Sequence, residues 1–157
     1  MSRPQQTSVR AADGNPILRA IRLLERVPYS LLAIPLRLAV ATIFWNSAMT
    51  KLADWNAALQ LFHDEYKVPV LPPEVAAYIA VSIELSTPVL LVLGLGTRLA
   101  ALVLLGMTSV IEIFVYPQAW PTHIQWAAML LVLLCRGAGS WSLDHLIRRR
   151  REKWPGG

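Results

Sequence analysis

The chain has 157 residues, of which 55% are hydrophobic and 16% charged, with a mean hydropathy of +0.44. That is too apolar for an ordinary soluble domain of this size and normal for a small multi-span membrane protein. The net charge of +5 comes largely from basic blocks near the two ends, which suit anionic lipid rather than nucleic acid, and the single cysteine, Cys135, excludes an internal disulfide, a dithiol motif and a Cys-rich zinc site.

Residues 1–14 are expected to be disordered. No cleavable signal peptide is expected, because the start of the chain is polar and basic and the first apolar run is long enough to act as an uncleaved anchor. Asn15-Pro16 is an N-cap and N1 pair. After it, Ile17, Ile21, Leu24 and Val27 recur at helical spacing opposite Arg19, Arg22 and Arg26. This predicts an amphipathic helix lying on the membrane surface.

Four apolar runs predict spans at about 31–52, 75–95, 99–115 and 120–135. The fourth is short for a bilayer crossing. Between the first two, Asp54 can cap a second interfacial helix with Trp55, Ala58, Leu59 and Phe62 on one face, ended by Val68-Pro69-Val70-Leu71-Pro72-Pro73. Gly94 and Gly96 can end the second span, and Tyr116–Ala119 leaves room only for an antiparallel turn. Ser142 can cap a last short helix, with Leu143, Leu146 and Ile147 toward lipid and Arg148–Arg151 toward headgroups; residues 148–157 form a basic tail. The whole is read as a single all-α membrane domain over residues 15–147, a four-helix transmembrane bundle with short interfacial amphipathic helices. Twelve of the fifteen Lys and Arg fall on the side of the termini, Lys51 and Lys67 fall opposite, and Arg37 lies within a span. The positive-inside rule then puts both termini in the cytoplasm.

Six ionisable groups lie in or at the spans: Arg37, Lys51, Glu84, Arg98, Glu112 and His123. Glu84 lies roughly 15 Å from either edge of its run, where an acidic side chain costs about 2.5–3.5 kcal/mol to insert. Two outcomes are open for it. Arg37 on the neighbouring span can reach it and form a buried pair that pins two helices, or Arg37 can snorkel to the interface and leave Glu84 to carry or relay a proton. Near the opposite face, Lys51, Glu112 and His123 can meet in a shallow pocket with Asn46, Ser47, Thr50 and Trp120. Lys51 and Glu112 suit an ion pair, and His123 offers a proton near neutral pH. Flat aromatic walls with a donor and an acid suit a quinone headgroup; an interfacial belt of Trp and Tyr is the alternative. Arg98 marks the cytoplasmic turn between the second and third spans. For metal, His63 and His123 are weak candidates, and no pair has the i, i+4 spacing of a preformed helical site. A bis-His haem and a phosphate loop have no matching residues.

The ordered set Leu36-Arg37-Leu38, Lys51-Leu52, Glu84-Leu85, Leu93-Gly94-Leu95-Gly96-Thr97-Arg98 and Gly137–Asp144 (GAGSWSLD) resembles the DoxX family of small four-helix bacterial inner-membrane proteins, over about Leu31–Leu146. Glu65-Tyr66-Lys67-Val68-Pro69 and Phe114-Val115-Tyr116-Pro117 are similar to one bacterial subgroup. The resemblance implies a multi-pass plasma-membrane bundle and makes Arg37, Lys51, Glu84 and Arg98 the family's polar positions. It brings no catalytic cysteine. Some relatives are named as small subunits of thiosulfate- or quinol-oxidising complexes, others as partners in membrane oxidoreductase assemblies. The expected function is therefore a subunit or accessory of a quinone-linked redox complex, with a redox partner protein and homo-oligomerisation both open. The rivals are a structural or assembly protein without chemistry, and a component that handles a small molecule or metal.

Overall fold

The computed structural model describes residues 15–66 and 71–152. The expected disorder of residues 1–14, Lys67, the Val68-Pro69-Val70 break and Lys153 in the basic tail lie outside the described residues. Every regular element among the described residues is helical: α1 Pro16–Glu25, α2 Tyr29–Ala53, α3 Trp55–Leu61, a π-helical turn Phe62–Tyr66, α4 Pro73–Leu93, α5 Thr97–Phe114, a 3₁₀ turn Pro117–Ala119, α6 Trp120–Arg136 and α7 Leu143–Glu152.

Local chemistry sets the starts of these helices. Asn15 Oδ1 accepts from the Ile17 amide at 2.9 Å, Asp54 Oδ1 from Ala57 at 2.9 Å, and Ser142 Oγ from His145 at 3.3 Å, each supplying a partner to a first-turn N–H. α4 stops at Gly94, in the left-handed region at φ 66°. There the Leu95 amide reaches back to the Leu90 carbonyl at 2.9 Å and the Gly94 amide to Leu91 at 3.1 Å, a Schellman closure.

Three helices, α2, α4 and α5, are long and apolar enough to cross a membrane. The fourth long helix, α6, has 17 residues, about 26 Å of rise against a hydrocarbon core of about 30 Å. These four pack as a ring, α2 on α4, α4 on α5, α5 on α6, and α6 back on α2. Val40, Phe44, Leu91, Leu104, Leu130 and Leu133 fill the centre. Ala33, Ala48, Ala77 and Ala101 are fully buried; such small residues let backbones approach where lipid removes the hydrophobic drive between helices. Outward-facing Leu38, Ile79, Leu102 and Ile113 are exposed, as a lipid-facing surface requires.

α3 and the π turn fold back over the α2–α4 end of the ring. Phe62 is buried with Ala76, Ala77 and Ala80 of α4, and Trp55, Leu59, Tyr66 and Met107 pack against that cluster. By contrast, α1 and α7 bury no residue. They carry exposed apolar faces, Ile17, Ile21 and Leu24 on one and Leu143, Leu146 and Ile147 on the other.

Candidate functional site

The polar residues of the ring sort into three groups. The first joins α2 to α4. Lys51 Nζ donates to Glu84 Oε1 at 2.8 Å and Oε2 at 2.9 Å, and to Ser47 Oγ at 2.7 Å. Ser47 in turn donates to Glu84 Oε1 at 2.9 Å. The pair is deeply enclosed, with side-chain exposures of 10% for Lys51 and 2% for Glu84. Pro88 lies four residues beyond Glu84 within α4. It has no N–H to close on the Glu84 carbonyl, so the helix ladder is interrupted beside the charge.

The expected Arg37–Glu84 pair is therefore not made. Arg37 Nη1 donates instead to the carbonyls of Ala138, 3.0 Å away, and Trp141, 3.1 Å away. The cause is geometric: helical side chains lean toward their own N-terminus. Arg37 on α2 leans away from Glu84, and Lys51, near the far end of α2, leans into the ring. α4 runs the other way, so Glu84 leans toward Lys51. The Lys51–Ser47 contact, four residues back along α2, displays that tilt directly.

The second group joins α5 to α6. His123 Nδ1 lies 2.5 Å from Glu112 Oε2, with His123 buried. Its ring rests on Trp126 at 5.0 Å, and Trp126 meets Phe44 edge-on at 5.8 Å. Lys51 was expected to pair with Glu112, and the single Lys51–Glu112–His123 pocket does not form. In the ring, α2 adjoins α4 and α6, whereas α5 adjoins α4 and α6. Lys51 faces α4 and Glu112 faces α6. Of the other expected members Ser47 stays with Lys51, Asn46 lies in an outer groove of about 370 Å³ between α2 and α4, with Trp45, Pro88 and Val92, and Trp120 is exposed at the start of α6. Thr50 bonds its own helix, donating to the Asn46 carbonyl at 3.0 Å.

The third group is aromatic and has no counterpart among the sites expected from sequence. Phe62 and Tyr66 stack at 4.5 Å, and Tyr66 meets Tyr116 edge-on at 5.9 Å. Tyr116 donates a very short hydrogen bond to Glu65. Beneath them, a cavity of about 300 Å³ opens between α4 and α5, walled by Phe62, Tyr66, Ile79, Ile83, Met107 and Ile111. Burial pushes the Tyr66 phenol up, and the charges of Glu84 and Glu65 push it further the same way. Tyr66 thus lines the cavity and also feels the charge of Glu84. The hydrogen bond to Glu65, with some desolvation, pushes the Tyr116 phenol up to about 12. The sequence signal that could have found this site is Phe62 and Tyr66 at i, i+4 just before a proline-rich break.

At the other end of the ring, Gly137–Asp144 runs back across the bundle. It receives Arg37 as described, Tyr29 Oη donates to the Gly137 carbonyl at 2.7 Å, and Ser30 Oγ accepts from the Ser140 amide at 2.8 Å. Asp144 Oδ1 and Oδ2 accept from the amides of Gly96, 2.8 Å away, and Thr97, 3.2 Å away, capping α5. Arg98 Nη2 donates to the Cys135 carbonyl at 3.2 Å. For metal, His63 is exposed and bonded to Asp64 at 2.8 Å, His123 is engaged by Glu112, and no cluster of three His, Cys, Asp or Glu side chains forms a metal site among the described residues.

With this geometry in place, the chain can be set beside known proteins. The sequence model of the DoxX family matches residues 32–117, more than half of the chain. An uncharacterized protein of Haemophilus influenzae is 29% identical over 126 residues, an alignment covering 73% of this chain and 82% of the relative. No solved structure matches.

Proposed function

Because this chain belongs to the DoxX family and is a membrane protein of apolar helices, we propose that it is a quinone-binding accessory subunit of a membrane redox complex. In this proposal it crosses the bacterial plasma membrane four times with both termini cytoplasmic, and α6 crosses a locally thinned bilayer or pairs with a neighbour. α1 and α7 lie on the cytoplasmic surface through their apolar faces. The single domain spans residues 15–147. A redox partner protein receives or supplies the electrons.

The observation that carries the reading is the apolar, aromatic-walled cavity with one phenol, Tyr66, linked electrostatically to a buried Lys–Glu pair. Ligand sites are typically of this kind, mostly apolar with a few placed polar groups. Tyr66 would donate to a headgroup carbonyl oxygen, and Phe62 would stack on the ring. The Glu84 carboxylate, fixed by Lys51, would orient the Tyr66 hydroxyl for that contact through its charge. Glu112 and His123 form a separate couple that would communicate with solvent at the mouth of α5 and α6. Purification from bacterial membranes under mild detergent should retain quinone in the wild-type protein and lose most of it in Tyr66→Phe/Phe62→Ala. Wild-type protein that retains no quinone, or a variant that retains as much, would sink the proposal.

One observation favours a purely structural role for the ion pair instead: every strong acceptor of Glu84 already meets a donor within the protein. In that case removal of both charges together would leave all ligand-dependent behaviour intact.

A further inference from the structure

The end of the ring that carries the glycine turns holds a second, chemically different cavity of about 620 Å³. Arg98, Arg136, Arg148 and His145 line it, with Ser140 and Asp144. The cations outnumber the acids, and the one carboxylate on the wall is already committed: both Asp144 oxygens accept backbone N–H groups of Gly96 and Thr97.

Two of the guanidinium groups are held in place by neutral partners. Arg98 donates to the Cys135 carbonyl and crosses Gly137, where even a methyl group would stand 3.4 Å from its Nε. Arg136 lies 5.0 Å over the Tyr29 ring, a cation–π geometry, and Tyr29 is itself anchored to the Gly137 carbonyl. Among the described residues neither Arg98 nor Arg136 has a carboxylate partner. Arg148 meets Glu152 only at 3.9 Å and shares a hydrogen bond with His145 at 3.2 Å. Arg98 and Arg136 are thus oriented without a carboxylate partner among the described residues, and the planar fork of Arg suits tetrahedral oxyanions.

We propose that this cavity binds a phosphate ester, the phosphodiester of an anionic phospholipid. Leu99 on its wall is exposed, as are Trp141 and Leu146, the sequence neighbours of the lining residues Ser140, Ser142 and His145, which suits a mouth at the level where acyl chains meet headgroups. Arg98 and Arg136 grip the phosphate oxygens, and Ser140 and His145 supply further polar contacts. A bound lipid of this kind would also fasten Gly137–Asp144, and with it the seat of Arg37. The inference is independent of the quinone site.

Native mass spectrometry of the full chain in detergent tests it, with phosphatidylglycerol, phosphatidylcholine and inorganic phosphate added separately. Phosphatidylglycerol should be retained over phosphatidylcholine, and Arg98→Gln/Arg136→Gln should weaken that retention about tenfold, the loss of at least one charge-assisted contact. Arg149→Gln/Arg150→Gln, which lowers net charge equally outside the cavity, should leave retention within about twofold of wild type. Equal loss in the two double variants would reduce the effect to diffuse charge and overturn the site. Equal retention of the two lipids would overturn it as well, and displacement of bound lipid by inorganic phosphate would overturn the lipid assignment in favour of the free anion. If the first double variant does not purify as a folded bundle, Arg148→Gln replaces it: this residue is 69% exposed and outside the ring, and retention equal to wild type in that variant would count against the site.

Discussion

Arg37 and Lys51 are two cations on the same helix, fourteen residues apart, both largely withdrawn from solvent and resolved in opposite ways. Arg37 meets only backbone carbonyls, those of Ala138 and Trp141. Lys51 meets a carboxylate and a hydroxyl. The first arrangement fastens a loop across one end of the bundle. The second holds an acid and its counter-charge together between α2 and α4, close enough to Tyr66 for the Glu84 charge to act on its phenol. Burial of charge alone therefore does not mark a functional site in this membrane protein; the chemical type of the partner separates the clasp from the candidate site.

The largest effect expected is from Glu84→Ala, which strands Lys51 in the ring without its acid. It should cost about 3–5 kcal/mol, measured by denaturation in mixed micelles. Arg37→Met should cost less, roughly 2–4 kcal/mol, since two carbonyls lose a charged donor but no opposite charge is stranded. Limited proteolysis should then cut within Gly137–Asp144 in Arg37→Met and spare it in Glu84→Ala. Loss of protection at the same place in both variants would erase the contrast between the two cations.

Gly94→Ala should cost about 1–2 kcal/mol for a left-handed φ of 66° that L residues avoid, and about 1–3 kcal/mol more for overlap with its neighbours. It touches the Arg37 clasp, because the added carbon would stand 2.6 Å from Arg37 Nη1 and 2.6 Å from Ser142 Cβ. Combined with Arg37→Met it should cost clearly less than the sum of the two single changes, as coupled neighbours do; exact additivity would mean that the glycine and the arginine act separately.

The smallest effect concerns the aromatic end. The Tyr116 phenol is raised to about 12 from an ordinary value near 10, so the folded state holds its proton more tightly than the unfolded state. The contribution is complete below about pH 10 and is lost as pH rises through the interval from about 10 to about 12. Tyr116→Phe should flatten the pH dependence of stability in that interval, and ultraviolet titration should lose one late-ionising tyrosine. An unchanged alkaline limb in Tyr116→Phe would remove the Glu65 contact from the account.

Much of the fold is legible in the sequence because its causes are local. Apolar run length, with Gly94, puts α2, α4, α5 and α6 within a few residues of their observed bounds, and Asn15, Asp54 and Ser142 mark the starts of α1, α3 and α7. The polar residues were equally legible as a set, yet their partners were not. Depth along a helix axis locates a Cα, whereas a long side chain leans toward its helix N-terminus, which turns Arg37 away from Glu84 and Lys51 toward it. Ring order is non-local, so nothing near Glu112 in sequence says that it faces His123 on α6 rather than Lys51 on α2. The role of Tyr66 depends on a π turn folding back over α4, a tertiary arrangement with only a faint local signature.

The most direct test of a functional Lys51–Glu84 pair removes both charges while keeping the volume: Lys51→Met/Glu84→Met. Replacing a buried ion pair by apolar residues of similar size is commonly neutral or stabilising, so this variant should fold and resist denaturant at least as well as wild type. Binding of a short-chain benzoquinone, measured by calorimetry in detergent on that folded variant, is then decisive. Binding should be lost or weakened at least about tenfold; quinone binding equal to wild type would contradict a functional pair and leave it a structural pin.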